Sequence, residues 1–152
     1  MNKHAPKESL TSYDSDFYQW SLSQAALVRA RRFNELDIEN IAEEIESLGR
    51  SDKRALGSQL RRLMTHLLKW QKQQSRRSQS WRSTIDNSRD ELRVIVDESP
   101  SLRAALAAAI AFEYVTARKR AVTETKMAEE NFPAVCPYTQ DQILDDDFWP
   151  SA

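Results

Sequence analysis

The sequence is poor in several residue types at once: one cysteine, two histidines and two glycines in 152 residues. Cys136 has no second cysteine for an internal disulfide, and with His4 and His66 it falls short of the four ligands of a structural zinc site. A di-iron carboxylate centre in a helical bundle needs two Glu-x-x-His pairs, and the residue three before His66 is Leu63. Neither a metal nor any other cofactor is therefore expected. Two glycines are too few for a turn-rich sheet protein. The longest uncharged apolar run, Ala104–Phe112, is much shorter than the roughly 18 to 20 residues that cross a bilayer, so no membrane span is expected. Residues 1–12 lack the apolar stretch of a secretory signal, which points to a cytoplasmic location.

What is present favours helices. Hydrophobic residues make up 40% and charged residues 30% of the chain, a balance suited to long helices with solvated outer faces. The length suits one domain, which buries roughly 70% of its unfolded surface. The expected fold is all-α, a bundle of about five helices followed by an extended C-terminal tail with one short helix. Its expected parts are a frayed N-terminus at 1–12, the bundle at 13–128, and a tail at 129–152 packed on the bundle.

Local signals place the elements. Asp14 is a candidate N-cap for a first helix ending near Arg32, with Tyr13 and Tyr18 as a hydrophobic staple. Ile38, Ile41, Ala42, Ile45 and Leu48 share one face of a second helix, which Gly49 is expected to end in a left-handed cap. Ser51 would then cap a third, running to about Gln74 with Leu56, Leu60, Leu63, Leu67 and Trp70 along its seam. Trp81, Ile85, Ser88, Leu92, Ile95 and Val96 define a fourth, which stops before Pro100. Ser99 and Pro100 open a fifth, reaching about Lys126 and pairing antiparallel with the fourth as a hairpin. In the tail, Thr139 and Gln142 form a capping box for a short helix, and Phe148-Trp149-Pro150 reads as a lid docked on the bundle.

Net charge is −1, but its layout is uneven. Nine acidic residues face three basic ones from Glu8 to Gly49, ten basic face one acidic from Arg50 to Arg82, and seven acidic face one basic from Glu124 to Ala152. The basic block can attract a phosphate-rich or acidic partner, or pair internally with the acidic ends.

In order along the chain stand Tyr13-x-x-Asp16-Phe17 with Trp20, Leu36-Asp37, Glu43–Gly49 (EEIESLG) and His66–Trp70 (HLLKW). Arg77, Ser80-Trp81, Thr84-Ile85, Pro100-Ser101-Leu102, Tyr114, Ala117, Ala121 and Glu124-Thr125 follow, then Phe132-Pro133-x-x-Cys136-Pro137 and Phe148-Trp149-Pro150. This series resembles the bacterial family known as domain of unknown function twenty-nine, over nearly the whole chain. Gln59 departs from the arginine expected there. The resemblance implies a helical bundle in a bacterial protein and carries over no activity.

Three constellations are candidates for function. Arg61 and His66 form Arg-x-x-x-x-His, which resembles the motif of a helical ribonuclease superfamily; with Glu44 they are the catalytic candidates of a small hydrolase or ribonuclease-like reading. Against this, Arg61 and His66 point apart on a helical wheel, and His66 lies at the edge of the apolar stripe. A polar network is expected where Glu113, Arg120 and Glu124 of the fifth helix meet Arg82 and Arg89 of the fourth, with Arg93 beside them and Glu44 joining. Lys69, Lys72, Arg76, Arg77 and Arg82, interleaved with Trp70 and Trp81, form the binding candidate, for an acidic protein or a nucleic acid, within segment 50–82. A non-enzymatic interaction module is the leading expectation.

Overall fold

In a computed structural model, residues 12–152 are described. His4 and nearly all of the expected frayed segment at 1–12 lie outside them. The described residues are all-α, and they fall into two compact units, one up to Arg50 and one from Ser51 to Ala152.

In the first unit, helix α1 spans Phe17–Arg29. Its cap is Asp16 and not Asp14: the Asp16 carboxylate accepts from the Gln19 amide at 3.0 Å. Asp37 then ties α1 to the next helix. Its carboxylate accepts from the Trp20 indole at 3.1 Å and the Asn40 side chain at 2.8 Å, while its amide donates to Gln24 at 2.9 Å. The hydrogen bond from Asn40, ahead of that from Trp20, holds the Asp37 carboxyl below its ordinary value.

Helix α2 runs unbroken over Ile38–Lys72, so the expected second and third helices are one. Gly49 does not end it, and no described glycine has positive φ. A glycine inside a helix costs only about 1 kcal/mol against alanine, and no proline follows to break the ladder. Arg50 also reaches back along the helix to Glu43 at 2.5 Å and Glu46 at 3.5 Å. Ser51 is consequently mid-helix.

In the second unit, α3 spans Gln79–Glu98, capped by Ser78, whose hydroxyl accepts from the Trp81 amide. The expected fifth helix is divided at Ala105 into α4, Pro100–Ala104, and α5, Leu106–Thr125. Lys126, in the left-handed region at φ 59°, closes α5. Helix α6, Gln140–Leu144, carries both halves of the Thr139/Gln142 capping box.

The core joins Leu56, Leu60, Leu63, Met64, Leu67 and Leu68 of α2 to Ile85, Leu92 and Val96 of α3 and to Leu106, Ile110, Tyr114, Ala117 and Ala121 of α5. Phe132, Tyr138 and Ile143 of the segment after α5 are buried in it too. A row at every fourth residue, Gly57, Arg61, Thr65 and Lys69 of α2 and Gln73 just past its end, faces α5. Arg61 meets Glu113 at 2.6 Å, Thr65 the Ala117 carbonyl at 3.4 Å, Lys69 Glu124 at 2.6 Å and Gln73 the Thr125 carbonyl at 3.4 Å. Residue numbers rise together on both helices, so α2 and α5 run parallel. Gly57 stands where an added Cβ would lie 2.5 Å from the Glu113 carboxylate.

Candidate interaction surface

The end of α2 and the start of α3 carry a series of stacked cations and indoles. After Lys72 the chain makes a 3-10 turn at Gln74–Arg76, which sends Arg77 back over α2. Its Nε donates to the Trp70 carbonyl at 2.9 Å and its guanidinium lies 4.9 Å from the centre of the Trp70 ring. Trp70 packs against Trp149, ring centres 4.7 Å apart, and the Arg82 guanidinium lies 4.8 Å from the Trp149 ring. Lys69 lies 4.6 Å from the Trp81 ring while bonding Glu124. Contacts of this kind contribute about 0.5–1 kcal/mol each at exposed sites and fix the direction in which a cation points. Beside the series an open cleft of about 650 Å³ is lined by Lys72, Gln73, Arg76, Met127 and Asn131, among others.

Arg89 anchors the series from below. It is fully buried on the apolar stripe of α3, and its partners are backbone carbonyls: Ile143 at 3.1 Å, Gln142 at 3.3 Å and Phe148 at 2.8 Å. Two of these belong to the last turn of α6, where a cation is favoured by the helix dipole. Its Nη1 is buried with no hydrogen-bond partner among the described residues, and its guanidinium stands 5.6 Å from the Trp149 ring. Burial pushes its pKa below the ordinary arginine value, partly offset by Asp146, Asp86 and Asp145. Arg93, one turn on, bonds Asp146 at 2.7 Å and the Leu144 carbonyl at 3.3 Å.

The sequence-derived candidates are distributed as follows. Lys72 and Arg76 line the cleft, Arg77 and Arg82 belong to the stacked series, and Arg76, Arg77 and Arg82 are exposed; Lys69 is buried and held by Glu124 and Trp81. The anticipated network has other partners than those read from the sequence. Glu113 and Glu124 of α5 meet Arg61 and Lys69 of α2, Arg82 sits over Trp149, Arg89 serves carbonyls, and Arg120 is exposed. Chain adjacency suggested α3 for α5, whereas α2 turns Arg61 and Lys69 to α5 and leaves room for the Glu113 side chain at the bare Gly57. Glu44 belongs to the first unit, where the Tyr13 hydroxyl donates to it and where the Tyr13 pKa is raised by that bond.

His66 turns Nδ1 to the Arg62 carbonyl of its own helix at 2.8 Å, while Arg61 turns to Glu113. Burial pushes the His66 pKa below its ordinary value. Among the described residues no three His, Cys, Asp or Glu side chains are grouped to hold a metal ion, and no helix is long and apolar enough to cross a membrane. Sequence reasoning missed the carbonyl-binding role of Arg89 and the entry of Trp149 between Trp70 and Arg82. The available signal was an arginine four residues after Ile85 and three before Leu92, inside the apolar stripe.

No curated protein and no solved structure matches the chain. A family model described as "Domain of unknown function DUF29" matches residues 12–149, nearly the whole length, and the chain belongs to that family.

Proposed function

We propose that the chain is a non-enzymatic helical interaction module whose basic face takes an acidic protein segment. The observation that carries this reading is the stacked series Arg77, Trp70, Trp149 and Arg82 beside a cleft lined by Lys72 and Arg76. Guanidinium groups already fixed by ring contacts lose less side-chain entropy when they meet carboxylates. A nucleic acid would offer phosphates to the same cations, but base stacking requires an available aromatic face. Trp70 already carries Arg77 and Trp81 carries Lys69, contacts that do not depend on Trp149. That favours acidic protein. A hydrolase or ribonuclease-like reading needs Arg61 and His66 on one phosphate, and each is held by a different group.

The test is fluorescence anisotropy with a labelled poly-glutamate peptide. Binding should weaken steeply with added salt, fall at least tenfold in the Lys72→Glu/Arg76→Glu chain, and survive His66→Ala. Salt-independent binding, or binding indifferent to the double substitution, refutes the reading. Preference for single-stranded RNA over poly-glutamate reassigns the face to nucleic acid.

A further inference from the structure

The stretch from Phe132 on has an embedded part up to α6 and a less deeply buried part after it. Upstream, Phe132, Tyr138 and Ile143 are buried in the core. From Asp145 on, no helix or strand forms; Asp145–Asp147 are exposed, Phe148 and Trp149 are half-buried against the core, and Pro150 is buried. Yet each recognisable feature of this acidic–aromatic stretch has a receptor of its own. The Asp146 carboxylate meets Arg93 at 2.7 Å, the Phe148 carbonyl accepts from Arg89 at 2.8 Å, and the Trp149 indole fits between Trp70 and Arg82. Phe148 also packs edge-on to Tyr138, ring centres 6.0 Å apart. The receptor offers more than the segment uses, because Arg89 Nη1 is buried beside it with no partner among the described residues.

We propose that this surface is a receptor for an acidic segment carrying an aromatic pair, and that residues 145–150 are its intramolecular occupant, displaced when such a segment of a protein partner binds. The inference rests on the reading of the basic face as an acidic-protein site and names the partner's chemistry. A segment tethered at Leu144 competes at high local concentration, so an incoming segment meets a reduced fraction of open receptor. A partner overcomes this by placing an additional acceptor on Arg89 Nη1, which the chain's own segment leaves unused. Lys72 and Arg76 line a cleft that Ala152, three residues after Trp149, also lines, and would extend the receptor toward further carboxylates.

The experiment uses the full chain and a fluorescein-labelled peptide repeating residues 141–150. The Trp149→Ala chain should bind it at least tenfold more tightly than the wild-type chain. That gain should vanish with Arg82→Glu, and also when the peptide's Phe and Trp are replaced by Ala. Circular dichroism establishes that each variant keeps its helicity. A second measurement needs no variant in the binding reaction: with 5-fluorotryptophan incorporated, saturating peptide should shift the Trp149 fluorine resonance and leave that of Trp20 in place. Equal affinity of the two chains, equal binding of the aromatic-free peptide, or a bound complex with the Trp149 resonance unmoved overturns the proposal. Poly-glutamate separates the two levels. A chain that binds poly-glutamate without any aromatic-dependent gain rejects the intramolecular occupant alone, and one that binds neither ligand rejects the basic-face reading as well.

Discussion

Replacing Gly57 by alanine should change the sign of its effect with the residue opposite. In an ordinary helix interior the exchange stabilises by about 1 kcal/mol, since alanine is the better helix former. Here the new Cβ would lie 2.5 Å from Glu113 Oε1 and 3.2 Å from its Cδ, closer than real Cβ contacts come. The carboxylate has to move, yet its other oxygen is bound to Arg61 at 2.6 Å, with the two side chains only 28% and 11% exposed. Stripping one partner from such a buried pair costs about 3–5 kcal/mol. A displaced carboxylate keeps part of the attraction, so about 2 kcal/mol is lost against the gain in propensity. Gly57→Ala should therefore destabilise the wild-type chain by about 1 kcal/mol. In a Glu113→Ala background the obstacle is gone, and the same exchange should stabilise by about 1 kcal/mol. The difference, a coupling of about 2 kcal/mol, is within the range measured between contacting residues. Urea unfolding of the four chains, followed by circular dichroism at constant m, reads it directly. Equal stabilisation in both backgrounds would show that the carboxylate yields freely and that close approach does not demand glycine at 57.

Arg89→Met should destabilise by about 3 kcal/mol, since three backbone carbonyls lose their donor in a buried place; an unfolding midpoint at the wild-type value refutes the anchor role. The His66 imidazole is held by burial below its ordinary value of 6.5, so the unfolded chain takes up the proton first as pH falls. Stability should accordingly decline as pH drops through about 6.5, and His66→Gln should flatten that decline in urea midpoints taken at several pH values. Tyr114, whose hydroxyl donates to the Pro133 carbonyl at 2.7 Å, has its pKa pushed up to about 12 by burial. Stability should fall as pH rises from about 10, where the unfolded phenol ionises, toward 12. Tyr114→Phe should reduce that alkaline loss without abolishing it, because the deeper burial of Tyr138 raises its pKa as well; an unchanged alkaline slope would contradict the assignment.

Much of the fold was legible because its signals are local. The Thr139/Gln142 box needs three intervening bonds of sequence and no distant partner, and Pro100 stops α3 by its own ring. The Gly49 stop failed for an equally physical reason: a glycine marks a helix end only when the following residues stop supplying helical partners. Arg50 instead bonds Glu43 and Glu46, and the stripe from Leu56 onward continues the burial. The candidate surface was half legible. Arg76, Arg77 and Arg82 could be read from charge alone, whereas the insertion of Trp149 between Trp70 and Arg82 depends on a contact across 79 and 67 positions that no local pattern encodes.

The parallel contact of α2 with α5 explains why the basic block presents less free charge than its composition implies. Arg61 and Lys69 belong to the row at every fourth residue that faces α5, and both are neutralised there by Glu113 and Glu124. Arg62, one position after Arg61 and so about 100° around the helix, is exposed. Lys72 and Arg76, which are not members of the row, line the open cleft. The same periodicity that buries Leu60, Leu63 and Leu67 thus sorts the cations into those paired with α5 and those that line the cleft or stay exposed. A surface reading of this family member by net charge would merge the two classes, although substitution in the first should unfold the α2–α5 contact and substitution in the second should change only binding.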